Sequence, residues 1–453
     1  MGSWKNSCVF IFAAIAAITT TSCGGPTVHN EWTWVSGSNL TFQVGSYGTQ
    51  GSPAASNIPG ARGGSATWTD KAGNLWLFGG IGLDPAGAGT ELHFNDLWKF
   101  SGGQWTWMGG SNIINQIGSY GAQGTAGPGN IPGARYGAAS WTDVSGNFWL
   151  LGGYGYDSSG VWGILNDLWK YSGGEWTWVG GSKFVGQPGI YGTQGKTTSS
   201  NVPGARFDAD SWTDASGNFW LFGGLGNDST TTVSYLNDLW KYSGGEWTWM
   251  GGPNIGSQMG IYGTQGTASY SNIPGARFDA ASWIDASGSL WIFGGWGFDS
   301  TGSRTLLGDM WKYSENQWTW MGGSSTGYAS GTYGVQGIAA PNNVPGARYM
   351  AVSWTDAAGN LWLFGGQGLG AYNDLWKYSP SKGEWTWIGG SDAANQLGTY
   401  GTQGMDSASS IPGARGIAVS WTDTSGNLWL FGGEGYSSTG GMGYLNDLWK
   451  YQP

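Results

Sequence analysis

The sequence predicts an all-β protein, a six-bladed β-propeller built from four-stranded blades. Nearly the same text begins at six arginines, which lie 73, 71, 71, 71 and 67 residues apart, and periods of this kind indicate a repeat architecture. Each copy holds four short apolar runs separated by Gly, Asp, Asn and Ser, as in strands joined by tight turns. Up-and-down sheets of four strands, arranged radially, form a propeller. The opening arginines are Arg62, Arg135, Arg206, Arg277, Arg348 and Arg415.

The third copy shows the four predicted strands most clearly. Residues 209–213 form the first run, and residues 219–222 form a second run that is apolar on both faces, as expected of a covered strand. Residues 239–242 and 247–249 alternate between apolar and polar side chains and form the third and fourth. Asp, Ser, Gly and Asn fill the short connections, so each copy is predicted to be one antiparallel sheet.

These markers resemble the kelch repeat, in which an Arg opens the first strand, Gly-Gly ends the second, Asp and Tyr mark the third, and Trp lies in the fourth. In the third copy the markers are Arg206, Gly223, Gly224, Asp238, Tyr242 and Trp247. The resemblance covers nearly the whole chain after its first 30 residues. It implies a bacterial, exported, kelch-type propeller similar to the central domain of galactose oxidase.

The copies depart from the kelch pattern in three ways. No His follows the opening Arg, Trp220 stands where Tyr is usual, and an inserted segment such as residues 251–276 makes each copy longer. The inserts share a motif, Tyr-Gly-x-Gln-Gly, whose repetition favours a structural role in which the Gln bonds to backbone.

The two ends of the repeated region complement each other. Residues 31–35 read as a fourth strand with no first three before it, and the sixth copy ends at a third strand, residues 448–451. We therefore expect residues 31–35 to complete the last blade and close the ring, which removes an open sheet edge. The tryptophan count agrees, since five per blade leave only Trp4, Trp162 and Trp296 of the 33.

The amino terminus is predicted to be a targeting segment. Residues 1–23 combine Lys5, a short apolar core and small residues, as a signal peptide does, and residues 24–30 form a linker before the propeller at 31–453. The end of the segment resembles a bacterial lipoprotein site, which would make Cys23 the lipidated residue. Ordinary signal cleavage is the alternative. We thus expect an outer-membrane or cell-surface lipoprotein held only by its lipid, or a secreted protein.

The charge pattern excludes some partners. The net charge is −10 and no basic run is present, which argues against nucleic acid. Arg, Asp, Lys and Glu recur in the copies, so we interpret them as strand pairing and turn capping, and the repeated Trp as packing. We expect a monomer.

Departures from the repeat are the better candidates for binding. Asp208, Asp210 and Asp279 break the pattern in first strands, the innermost strands of a propeller, and we expect them near the channel mouth. Carboxylates suit Ca²⁺, so a weak calcium or polar-ligand site is one hypothesis, and a solvated channel wall is the other. Trp162, Trp296, Arg304, Glu91, Glu434 and His93 also interrupt the pattern, in predicted loops on one face.

The function predicted is non-catalytic binding of a surface protein or an extracellular glycan by that face. Galactose oxidase chemistry needs two His, a Cys and two Tyr, and after residue 23 this chain has only His29 and His93 and no Cys. Sialic-acid mutarotases are also six-bladed kelch proteins, so a carbohydrate-active enzyme using Glu91 or Glu434 is the alternative. A structural envelope component is the third possibility.

Overall fold

In the computed structural model, which describes residues 30–83 and 90–453, the chain is an all-β protein made of small antiparallel sheets. Every regular element in these two ranges is a strand, and they contain no helix that is long and apolar enough to cross a membrane. The predicted signal peptide with Cys23, and all of the linker except Asn30, lie outside the described residues.

The strands in chain order are β1 Glu31–Ser36, β2 Ala66–Thr69, β3 Leu75–Leu83, β4 Glu91–Ser101, β5 Gln104–Gly109, β6 Arg135–Tyr136, β7 Ala139–Thr142, β8 Phe148–Tyr156, β9 Trp162–Ser172, β10 Glu175–Gly180, β11 Arg206–Phe207, β12 Asp210–Thr213, β13 Phe219–Phe222, β14 Leu225–Asn227, β15 Val233–Tyr235, β16 Leu239–Ser243, β17 Glu246–Gly251, β18 Arg277–Phe278, β19 Ala281–Ile284, β20 Leu290–Phe293, β21 Trp296–Phe298, β22 Arg304–Leu306, β23 Gly308–Ser314, β24 Gln317–Ser324, β25 Val352–Thr355, β26 Leu361–Phe364, β27 Leu375–Ser379, β28 Glu384–Gly389, β29 Asp406–Ser407, β30 Arg415–Gly416, β31 Val419–Thr422, β32 Leu428–Phe431, β33 Glu434–Tyr436, β34 Met442–Tyr444 and β35 Leu448–Gln452.

The main sheets follow the repeats of the sequence. Their strand orders are β2-β3-β4-β5, β7-β8-β9-β10, β12-β13-β16-β17, β19-β20-β23-β24, β25-β26-β27-β28 and β31-β32-β35-β1, all antiparallel. The first strands β2, β7, β12, β19, β25 and β31 contact one another in succession, and β31 also contacts β2. This arrangement of four-stranded sheets is that of a β-propeller.

The first and last repeats are joined by direct contacts. β1 pairs with β35, with Trp32 opposite Tyr451. The indole N–H of Trp421 donates to the carbonyl of Trp76 at 3.0 Å, and the N–H of Gly433 donates to the carbonyl of Arg62 at 2.8 Å. The sheet that contains β35 therefore takes its fourth strand from the other end of the chain.

A buried ion pair links the strands within each repeat. In the third repeat, both terminal nitrogens of Arg206 donate to the Asp238 carboxylate at 2.8 Å, and Arg206 also donates to the carbonyls of Gly204 and Gly223. Tyr191 from the preceding insert donates to the same carboxylate at 2.7 Å. Burial alone raises the pKa of Asp238, but the charge and hydrogen bonds of its partners outweigh it and hold the pKa below its usual value.

The same Arg–Asp–Tyr node occurs in every repeat. The other five sets are Arg62–Asp96–Tyr47, Arg135–Asp167–Tyr120, Arg277–Asp309–Tyr262, Arg348–Asp374–Tyr333 and Arg415–Asp447–Tyr400.

The glycine doublet is required by close packing between repeats. Gly223 and Gly224 have φ angles of 64° and 96°, a region that side chains disfavour. The N–H of Gly224 donates to the carbonyl of Arg277 in the next repeat at 2.8 Å, and a Cβ on Gly223 would lie 2.7 Å from that oxygen. Any larger residue would push the two repeats apart.

The charged residues of the turns cap the backbone, as predicted. Asp214 accepts hydrogen bonds from the N–H groups of Ser216 and Asn218, and from the indole of Trp220 at 3.0 Å. Lys241 lies 3.8 Å from the same carboxylate. The indole of Trp220 therefore has a polar partner of its own.

Each insert runs along the outer edge of a sheet, in addition to joining two repeats. In the sixth repeat β29 pairs with β1, and elsewhere single bridges do the same, for example Thr197 with Thr248. Gln194 donates to the carbonyl of Met250 at 3.1 Å. The structural interpretation of the Tyr-Gly-x-Gln-Gly motif is thus confirmed, because its Tyr bonds to the buried Asp and its Gln to backbone.

The tryptophans form the core, as predicted. In the third repeat Trp240 is fully buried and lies 4.8 Å from the Tyr191 ring, measured between centroids. Its five counterparts Trp98, Trp169, Trp311, Trp376 and Trp449 are also fully buried.

Replacing Trp32 by Ala should destabilise the fold strongly. Trp32 is 5% exposed and packs between Phe364 and Tyr451, with ring centroids 5.3 and 5.1 Å away. Removing a buried Trp costs about 3–5 kcal/mol of unfolding free energy. Urea unfolding followed by circular dichroism measures this loss. The control is Tyr270→Ala, which removes a 79% exposed ring and should change the midpoint little. Equal midpoints for the two variants would contradict the packing of β1 on β35.

Candidate ligand-binding site

Six residues, one from each repeat, form a closed cycle of backbone hydrogen bonds at the centre of the molecule. Each has a φ angle between 51° and 64°, and each N–H donates to the carbonyl of the preceding member at 2.8 to 3.0 Å. The first member donates to the last, which completes the cycle. The members are Gly64, Gly137, Asp208, Asp279, Met350 and Ile417.

This cycle surrounds a cavity of about 200 Å³. Asp208, Asp210 and Asp279 all line it, as the sequence predicted. Gly137 leaves the room that the Asp208 carboxylate fills, because a Cβ at Gly137 would collide with Oδ1 of Asp208. The glycine in the second repeat and the acid in the third are therefore linked by packing.

The three carboxyl groups lack hydrogen-bond partners within the described ranges, and one oxygen each of Asp210 and Asp279 is fully buried. Burial raises the pKa of Asp208 to about 7. Burial also raises the pKa of Asp210, which Arg277 lowers in part, and the pKa of Asp279, to which repulsion from Asp208 and Asp210 adds. Carboxyl groups in such surroundings are costly to ionise and mark candidate functional sites.

The calcium hypothesis gains no support from this geometry. Among the residues that the structure describes, no group of three or more His, Cys, Asp or Glu side chains is arranged to hold a metal ion.

Beside the carboxyl groups stands a wall of aromatic rings that sequence reasoning missed. The residue directly after the opening Arg is aromatic in four consecutive repeats, and all four rings are partly exposed. The centroid distances are 5.9 Å from Tyr136 to Phe207, 6.4 Å from Phe207 to Phe278 and 6.3 Å from Phe278 to Tyr349. The sequence contains a signal for these rings, because the position is not the same in every copy: it is Gly63 in the first copy and Gly416 in the sixth.

Two predicted residues extend this wall. Trp296 lies opposite Phe278 in the sheet, and its ring centroid is 5.8 Å from that of Tyr349. Trp162 lies 4.0 Å from His93 and 6.4 Å from Tyr136. The wall therefore continues outward on both sides, from second-to-third-strand hairpins.

The predicted glutamates lie on the glycine side of the site. Glu434 is opposite Gly416, and burial raises its pKa. The pKa of Tyr444 is raised by burial first and then by the charges of Glu434 and Glu91, so the two acids lie near one ring. Arg304 is exposed at the start of β22, opposite Phe298.

The predicted loop placement of these residues was wrong. Glu91 and His93 lie in β4, and Glu434 lies in β33, because the second and third strands continue beyond the Gly-Gly doublet as a hairpin. His93 is not isolated in a loop, since it is 4% exposed and packs on Tyr136 and Trp162. The extensions pair as local hairpins, Ile81 with His93 and Glu434 with Tyr444, and the Gly-Gly doublet before them was wrongly interpreted as the end of the strand.

Comparison with known proteins supports the fold alone. No family model matches the chain, and the search of curated proteins also gives no match. Among solved structures, the chain is similar to one titled "Structure of YjhT", a kelch/propeller-type fold, with a TM-score of 0.50 and 15% identity over 86% of this chain and 95% of that one.

Asp208→Asn should stabilise the protein at high pH. An unfolded Asp titrates near pH 3.9, so a folded-state pKa of about 7 means that stability is lost as pH rises between these values. Asn removes this loss and tolerates the positive φ angle. We expect a gain of about 1 kcal/mol at pH 8 that falls to about a quarter of this value at pH 4.5. The gain is smaller than the full shift implies because water reaches the cavity.

Thermal melting of both proteins at the two pH values checks the difference. The exposed Asp392→Asn variant, which also replaces one carboxyl group by an amide, is the control and should not reproduce the gain. A gain for Asp208→Asn that is equal at both pH values would contradict the assigned burial.

Proposed function

We propose that the chain is a closed six-bladed propeller of kelch type that binds a glycan, without catalysis, at the mouth of its central channel. The closed ring is supported by the pairing of β1 with β35, by the contact of β31 with β2, and by the cycle of six backbone hydrogen bonds. The kelch assignment rests on the repeated Arg, Gly-Gly, Asp and Trp positions.

The observation that carries the binding proposal is the aromatic wall beside unpaired carboxyl groups. Aromatic faces pack against the C–H faces of sugar rings, while carboxylates accept hydrogen bonds from sugar hydroxyls. Concave sites with mostly aromatic walls and a few polar groups are the usual form of a ligand site. Neither feature serves the fold, since other repeats have Gly, Ala, Val, Met or Ile at these positions.

A second candidate function is supported by Glu434. Burial raises the pKa of this carboxyl group toward the range that suits a general acid or base, and it lies at the same site. A sugar mutarotase that uses Glu434 for proton transfer is therefore the alternative.

We further propose that the protein is exported by bacterial cells and anchored through lipid on Cys23. The support is the sequence of residues 1–23, in which a short apolar core is followed by Ser22 and Cys23. A glycan site on an anchored propeller would face material outside the cell.

Glycan-array binding with the variant Tyr349→Ala tests the binding site. Losing one half-buried ring of the wall should weaken binding at least tenfold, which is about 1.4 kcal/mol. Tyr270→Ala is the matched control and should bind as the original protein does.

Proton NMR of the bound sugar distinguishes the mutarotase alternative from binding alone, because Glu434→Gln should abolish anomer exchange only in a mutarotase. Binding that is absent, or equal in both Tyr variants, would contradict the proposal and favour a protein partner or a structural role.

Cell fractionation with Cys23→Ala tests the anchor. We expect the original protein in the membrane fraction and the variant released, because the variant lacks the thiol at the predicted processing site that would accept lipid. Cys8→Ala is the control and should stay in the membrane fraction, since Cys8 precedes the predicted processing site. Equal release of the original protein and both variants would overturn the lipid anchor.

A further inference from the structure

We propose that the ligand of the channel mouth carries positive charge, and specifically that it is a glycan with protonated amino groups. This inference rests on the proposed glycan site and adds the chemical class of the sugar. It concerns the pairing of unneutralised carboxyl groups with aromatic rings, and not the acids alone.

The carboxyl groups at the site have no compensating cation. Asp210 is 4% exposed, lines the cavity, and one of its oxygens is buried without a partner. Asp279 also holds a buried oxygen without a partner, and Asp208 shares the cavity. In the described part of the chain, neither Asp208 nor Asp279 forms an ion pair.

The cation that acts on Asp210 already has other hydrogen-bond partners. Arg277 acts on Asp210 electrostatically, but its three side-chain nitrogens donate to the carbonyls of Gly275 and Gly294 and to Asp309. Burial lowers the pKa of His93, so its ring is neutral at neutral pH. These residues therefore supply no cation that could pair with the carboxyl groups of the cavity.

The aromatic wall also favours a ligand that carries an ammonium group. Burial and then the charge of Asp208 raise the pKa of Tyr136, and burial and then the charge of Asp279 raise the pKa of Tyr349, so these two rings lie near the carboxyl groups of the cavity. An ammonium group is attracted both to the face of an aromatic ring and to a carboxylate. A neutral sugar would use the rings but would give the buried acids no charge to pair with, whereas an ammonium group would favour their ionised form and complete an ion pair.

The net charge of the chain also favours a cationic ligand, and its effect extends over longer distances. The chain carries −10 at neutral pH, and Glu434 and Glu91 add two more acids beside Tyr444. A surface with this balance attracts cationic ligands and slows the approach of anionic ones.

The test compares two oligosaccharides of equal length on the full chain by isothermal titration calorimetry. The glucosamine hexamer carries protonated amines, and the N-acetylglucosamine hexamer is its neutral counterpart. We expect the glucosamine hexamer to bind at least tenfold more tightly at low salt, with an affinity that falls as salt rises. The double variant Asp208→Asn, Asp279→Asn should reduce this preference to less than threefold, while Asp392→Asn should retain it.

The outcomes separate the inference from the proposed function. Equal or tighter binding of the neutral hexamer would overturn the charge inference and leave glycan binding intact. A preference for the glucosamine hexamer that survives in the double variant would also overturn it, because attraction to the net charge would then suffice. Failure of both hexamers to bind would contradict the inference and the glycan proposal together. Circular dichroism of the double variant checks that it is folded.

Discussion

A buried ion pair between the opening Arg and the third-strand Asp is the constraint on which the fold depends. Two charges out of water are tolerated only when every donor and acceptor is used, and removing one partner typically costs about 3–5 kcal/mol. Arg206 meets this demand with Asp238 and the carbonyls of Gly204 and Gly223. The pair thus fixes the positions of the insert, the glycine doublet and the third strand relative to one another, and six such nodes repeat one geometry around the molecule.

Because the nodes and the Trp core hold every repeat in the same geometry, variation is confined to positions that they do not use. The cycle of six backbone hydrogen bonds is one such position. Because its hydrogen bonds come from backbone groups, Gly, Asp, Met or Ile can occupy it. The residue before it is another, where Gly63 and Gly416 leave an open side opposite the rings of Phe207 and Phe278. A symmetric scaffold thereby carries an asymmetric site, with aromatic rings in four consecutive repeats and glycines in the other two.

Local sequence predicts the main sheets well, because apolar alternation, turn residues and the Arg–Gly-Gly–Asp markers report short-range structure. The sequence also predicted that Asp208, Asp210 and Asp279 lie close together, because equivalent positions of a repeat lie at equivalent places in space. It missed the strand extensions that hold Glu434 and His93, since the Gly-Gly doublet signals the end of a strand while the chain pairs again beyond it as a hairpin within the same repeat. The aromatic wall was visible only by aligning the copies on Arg, and its meaning depended on knowing which way those side chains face.

The inserts that run beside the fourth strands affect how the protein behaves at high local concentration. Sheets with free borders can merge when molecules crowd together, which is the route to amyloid. Here Thr197 beside Thr248, and β29 beside β1, already occupy those borders. Many such molecules can therefore lie close together while each remains separate, and a polymeric ligand that reached several of them would gain avidity from many weak contacts.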